Sequence, residues 1–374
     1  MHGTGERSLL GAKTIFTCAL VALGAACASN DTTVAPAADA GVADGPLPDA
    51  GGGGASGKPN TPGKYPLTLD VDGATREFIV YIPEKARGET LVPIVFMLHG
   101  TSGTGDEFFD KSQWREVADA QGFLAVFPSA LTYCYTQDSN HDGTIAPDEF
   151  EVFTKWAAGQ LGTDERPLCT AERLAKLMPE KRALADHPLR DDVMFFDAML
   201  DHLGANYSVD MKRVYATGFS NGAEMTGRLA NERSNRFAAI GLASSAMSVT
   251  PVPQANPITV IFTLGNMDEE QGPRVGGNPV PLTEQQIMQP AFASAYVAPM
   301  LTMLQLDKTY TFSSVTVGGK KTSQWLFAKS AVGASNTFRA VVIEDATHEY
   351  PNGTNHPIRL AAQLWEAFKP CALP

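Results

Sequence analysis

The pentapeptide Gly218-Phe219-Ser220-Asn221-Gly222 constrains the folding of this 374-residue chain more than any other stretch. The run Arg213-Val-Tyr-Ala-Thr217 before it reads as a strand, and a helical pattern follows it to about Asn231. A serine between two glycines at such a junction marks a sharp turn. The glycines let the backbone approach itself, and the serine is left strained and exposed.

The surrounding chain supplies elements to match. Leu67–Val71 and Arg76–Ile82 flank the turn Asp72-Gly73 and read as an antiparallel hairpin. Pro93–Leu98 is a continuous apolar run, as expected of a strand buried on both faces. A helix over 105–120 and a strand at Phe123–Phe127 follow, then a helix over 191–204. Later strands are expected at Ala238–Ala243, Ile258–Thr263 and Phe338–Ile343. A hairpin turns at Gly318-Gly319, and a last helix covers 357–369. Strands alternating with helices imply an α/β fold: a mostly parallel central sheet covered by helices on both faces. With the G-x-S-x-G turn in it, this is the α/β-hydrolase pattern.

Ser220 is then the candidate nucleophile, and the Asn221 N–H at the helix start faces the position where an oxyanion would form. The loop His99-Gly100-Thr101-Ser102 follows the first buried strand and should supply the second oxyanion donor, Thr101 first and Ser102 second. His99 precedes the nucleophile, against the Ser–Asp–His order, and reads as structural. Asp268, in Gly265-Asn-Met-Asp268 after the strand 258–263, is the expected acid, and Glu269 and Glu270 read as a solvated charge run. His348 follows the strand 338–343 and is the expected base, with His356 as its rival. His348 would take the serine proton while Asp268 orients the ring.

These stretches, with Asp191-Asp-Val-Met-Phe195 and His348-Glu-Tyr-Pro-Asn-Gly353, resemble the secreted polyhydroxybutyrate depolymerase and feruloyl esterase family. The resemblance runs from about residue 66 to the C-terminus, interrupted by an insertion. It implies carboxylic ester hydrolysis through an acyl-enzyme, with no cofactor for catalysis, by Ser220, Asp268 and His348. The chain departs from the family at Tyr350, where tryptophan is usual, and at Leu264, where histidine is usual; both positions are expected around the acyl pocket. Asp191 and Asp192, at a helix start, read as caps.

The insertion, 129–190, contains a full EF-hand loop pattern over 138–149. Asp138, Asn140, Asp142, the Thr144 carbonyl and Glu149 would wrap one structural Ca2+, with residues 149–161 as an exiting helix. Trp156 and Tyr135 fit either a substrate groove or the small core of this lid. Cys134 and Cys169 are the economical disulfide pair, closing the insertion, with Cys371 as a leftover thiol.

Residues 1–28 read as an export signal: Arg7 and Lys13 precede a short apolar run that ends at Cys27. Leu-Gly-Ala-Ala-Cys27 resembles a lipobox, which would attach the chain to a membrane through lipidated Cys27. Cleavage after Ala28 would instead release a free secreted protein. Residues 29–63 are rich in Ala, Asp, Gly and Pro and read as a disordered linker, leaving 64–374 as the catalytic domain. The net charge of −12 argues against a nucleic-acid partner. The expected function is an exported ester hydrolase acting on a polyester or on acyl and feruloyl esters of polysaccharides. A serine peptidase on the same fold, or a non-catalytic calcium-binding adhesion protein, are the alternatives.

Overall fold

The computed structural model describes residues 58–138, 144–146 and 148–374. Twelve strands are formed among these residues: β1 (Gly63–Val71), β2 (Ala74–Ile82), β3 (Val92–Leu98), β4 (Leu124–Pro128), β5 (Thr132–Thr136), β6 (Phe150–Thr154), β7 (Val209–Phe219), β8 (Ala239–Ala243), β9 (Thr259–Gly265), β10 (Thr311–Val317), β11 (Lys320–Phe327) and β12 (Phe338–Ile343). Ten of them make one sheet in the order β1-β2-β4-β3-β7-β8-β9-β12-β11-β10. From β4 to β12 every neighbouring pair is parallel. Antiparallel hairpins, β1–β2 and β10–β11, extend the two edges.

The parallel strands are apolar because helices cover both of their faces. Successive residues of β3 alternate between two cores: Ile94, Phe96 and Leu98 pack with Phe195, Phe196 and Leu229, and Val95 and Met97 pack with Trp114, Leu364 and Phe368. The first core is closed by the helices Asp192–Asn206 and Asn221–Glu232, and the second by Trp114–Gln121 and Leu360–Phe368. This is the α/β-hydrolase fold.

Three expectations of local structure change. The helix over 105–120 is two helices, Gly105–Lys111 and Trp114–Gln121, because Gln113 between them takes a left-handed φ of 63°. The fold begins inside the expected linker: Asn60 is buried and its side chain bonds the Ala86 carbonyl and both backbone groups of Ser208. The exiting helix of the 138–149 loop does not form, because Phe150–Thr154 is a strand paired antiparallel with β5, Cys134 opposite Val152. The loop therefore joins two strands rather than two helices. Asn140 and Asp142 lie outside the described residues, as do Cys27 and the export signal. Cys134 and Cys169 form the expected disulfide, with Cα atoms 5.3 Å apart. Cys371 is buried in the second core.

Candidate active site

Ser220 follows β7 with φ 52° and ψ −122°, and the helix Asn221–Glu232 starts one residue later. The two glycines make this turn possible. A Cβ on Gly218 would meet the Gly222 carbonyl oxygen at 2.1 Å, and a Cβ on Gly222 would meet the His99 oxygen at 2.4 Å. The Ser220 amide donates to the Ala243 carbonyl of β8 (2.8 Å), which fixes the turn over the sheet.

His348 Nε2 lies 3.0 Å from Ser220 Oγ, and Nδ1 lies 2.9 and 3.0 Å from the two Asp268 oxygens. The three residues come from the ends of β7, β9 and β12, which are brought together by the parallel order of the sheet. Gly265 allows the acid loop to touch the base loop, since a Cβ there would meet the Ala346 oxygen at 2.2 Å. Asp268 is fully buried, and its Oδ1 also accepts the amides of Glu270 and Gln271. Burial works against charge on His348, but the hydrogen bond to Asp268 and the charges of Asp268, Glu270 and Glu269 outweigh it, so its pKa lies above the ordinary histidine value.

The rivals resolve by their partners. His99 is buried with Nδ1 bonded to the Gly100 carbonyl (2.6 Å), while Nε2 accepts the Ala130 amide (3.0 Å); burial lowers its pKa to about 4. It is a neutral structural ring. His356 accepts the Ile358 amide and bonds the Glu344 carbonyl, away from Ser220. Glu269 and Glu270 are more than a solvated run: Glu269 accepts the His348 amide (3.1 Å), and a Glu270 oxygen lies 3.4 Å from His348 Nε2. Of the two candidate oxyanion donors in the first loop, Ser102 spends its amide on the Thr154 carbonyl (2.9 Å), which favours Thr101. Asn221 begins its helix, where amides lack intrahelical partners.

Ser220, His348, Thr101 and Phe219 line a cleft of about 580 Å³. The opposite wall is the insertion, through Tyr135, Gln137, Asp138, Glu151, Lys155 and Arg166. Tyr135 thus faces the cleft, while Trp156 is fully buried between His99 and Phe196. Tyr350 and Leu264 are core residues instead of pocket residues. The Tyr350 hydroxyl accepts from Trp114 Nε1 (3.0 Å), and its ring reaches the site only through Phe219, which also touches His348. Asp191 caps its helix by accepting the Val193 amide, as expected. Asp192 does not cap: it is buried 2.6 Å from Arg76, and its other oxygen accepts the Ala157 amide at 2.7 Å. No local signal in the sequence reveals that pair, because its members are separated by 116 residues.

The chain is similar in part to several known proteins. Feruloyl esterase B of Thermothelomyces thermophilus is 23% identical over 183 residues, which is 47% of this chain and 48% of the relative. The putative esterase NocK of Nocardia uniformis is 29% identical over 178 residues, 47% of this chain and 40% of the relative. The chain thus spans less than half the length of these curated relatives. The solved acetyl xylan esterase from Aspergillus awamori aligns with a TM-score of 0.49 and 14% identity, over 82% of this chain and 99% of that one. The model of the prolyl oligopeptidase family matches residues 185–371, which hold Ser220, Asp268 and His348 and make up half of the chain. By that match the protein belongs to the prolyl oligopeptidase family of α/β-hydrolases.

Proposed function

We propose that this protein is an exported serine carboxylic ester hydrolase acting on acyl or feruloyl esters of polysaccharides. The observation that carries the reading is the hydrogen-bonded series Ser220 Oγ, His348 Nε2, His348 Nδ1 and Asp268. Ser220 Oγ attacks the ester carbonyl carbon as its proton passes to His348 Nε2, and the oxyanion is held by the amides of Thr101 and Asn221. Collapse expels the alcohol, which takes the proton from His348. Water then attacks the acyl-enzyme with His348 as base, releasing the acid and restoring Ser220. The substrate class is supported by relatives named feruloyl esterase and acetylxylan esterase, and by the charged and polar side chains of the cleft.

The test is hydrolysis of p-nitrophenyl esters of graded chain length, of feruloylated and acetylated xylan fragments, and of polyhydroxybutyrate, by wild type and Ser220→Ala. Activity on the xylan fragments that vanishes in the variant supports the proposal, and activity on polyhydroxybutyrate alone moves the substrate to a polyester. A folded wild type inert toward every ester would sink it and shift weight to a peptidase or an adhesion protein. Two companion proposals have separate tests. A structural calcium ion held by Asp138, Asn140, Asp142, Thr144 and Glu149 should raise the melting temperature and leave a calorimetric binding signal that Asp142→Ala removes. Export with a lipid on Cys27 should give a mature N-terminus at that residue with a lipid mass; an unmodified Ser29 terminus refutes the anchor.

A further inference from the structure

Four consecutive residues leaving β6 bond the two candidate oxyanion donors and their supports. Thr154 accepts the Ser102 amide on its carbonyl and donates its hydroxyl to the Gly103 carbonyl (2.7 Å). Lys155 Nζ donates to Thr101 Oγ1 at 3.1 Å. The Trp156 amide donates to Asn221 Oδ1 (2.7 Å), and its indole N–H to the His99 carbonyl (2.9 Å). The Ala157 amide is held by Asp192. The insertion thus grips the Thr101 loop from one side and Asn221 from the other.

Lys155 is the unusual member of this run. It is 7% exposed, it lines the cleft with Ser220, and its ammonium donates to a neutral hydroxyl rather than to a carboxylate. A buried cation without a directly bonded anion is costly, and an ammonium has three N–H groups to satisfy. Burial lowers its pKa, an effect partly opposed by the charges of Glu224, Glu151 and Glu270. A negative charge arriving beside Thr101 would meet that cation at short range in a low-dielectric wall.

We propose that Lys155 is a positioning residue of the oxyanion hole, fixing Thr101 through its hydroxyl and setting a positive charge beside the developing oxyanion. This rests on the ester-hydrolase reading. Its function is confined to the transition state, so its loss lowers kcat and leaves KM nearly unchanged.

The experiment uses the full chain, a neutral p-nitrophenyl ester, and an aryl trifluoromethyl ketone. With the ketone, Ser220 Oγ bonds the carbonyl carbon, its proton goes to His348 Nε2, and the carbonyl π pair becomes an oxyanion whose protonation is followed by 19F NMR. Lys155→Met should lower kcat roughly 10- to 100-fold, below the full loss of an oxyanion donor. It should weaken the ketone by the same factor and raise the pKa of the hemiketal hydroxyl, and Lys155→Arg should restore most of each. Lys155→Gln gives the same readings if the methionine variant does not fold. Wild-type kcat and hemiketal pKa in an active, folded Lys155→Met overturn the proposal alone, as does a rise in KM with kcat unchanged. A wild type that turns over no ester and forms no hemiketal overturns this proposal together with the ester-hydrolase reading.

Discussion

Replacing Asp192 with alanine should destabilise the fold by about 4–8 kcal/mol. Arg76 and Asp192 are each 1% exposed at the side chain and lie 2.6 Å apart, so the variant leaves a guanidinium buried without its counter-ion, a loss of about 3–5 kcal/mol. The Ala157 amide also loses its acceptor, adding about 1–3 kcal/mol. The Phe195 ring, 4.2 Å from the guanidinium carbon, faces it with and without Asp192 and so drops out of the difference. For a domain of this size the melting temperature should fall roughly 6–12 °C. Denaturant titration followed by tryptophan fluorescence reads the change, with calorimetry as the second probe. The apolar double variant Arg76→Met/Asp192→Leu should recover at least half of the loss, because it removes the stranded charge as well as the attraction. A loss under about 1 kcal/mol in Asp192→Ala, or a double variant less stable than the single one, would refute the reasoning.

Other outcomes follow from the site. Asp268→Asn should lower kcat about 10³- to 10⁴-fold with KM little changed, since both carboxylate oxygens serve His348 Nδ1; a fall under tenfold in kcat would contradict the orienting role. In the proposed mechanism the neutral imidazole is the base, so activity should fall as pH drops through the raised His348 pKa; Glu270→Gln removes one of the charges that raise it and should move the acid limb of the pH–kcat/KM profile to lower pH. An unmoved or higher limb contradicts this. Cys134→Ser/Cys169→Ser should cost about 4 kcal/mol by loop entropy for the 35-residue separation, checked by denaturant titration, and an unchanged midpoint would show that other bonds already hold the insertion.

The sheet was legible because β3, β4 and β8 are uninterrupted apolar runs and β9 is broken only by threonine, a pattern expected of strands buried on both faces. The nucleophile turn was legible because Gly218 and Gly222 report backbone contacts that no side chain tolerates. Phe150–Thr154 was misread as helical because the calcium-loop pattern implies flanking helices, and that borrowed context overrode a five-residue segment too short to declare a period. Gln113 breaks a helix that propensity alone would continue. Asp192 reads as a cap, and Lys155 goes unmarked, for a different reason: what distinguishes them is the partner each meets across the fold, and nothing local to either residue encodes that partner.

The grip of Thr154–Ala157 on residues 99–103, Asn221 and Asp192 bears on how substrate gains entry. Swinging this wall outward would break those bonds and pull apart the loop proposed to stabilise the oxyanion, so on that mechanism open and competent are not alternating states. The cleft must accept its substrate already formed. Turnover of a sparingly soluble ester should then rise smoothly through its solubility limit, without the interfacial activation of enzymes whose cover opens at an oil surface.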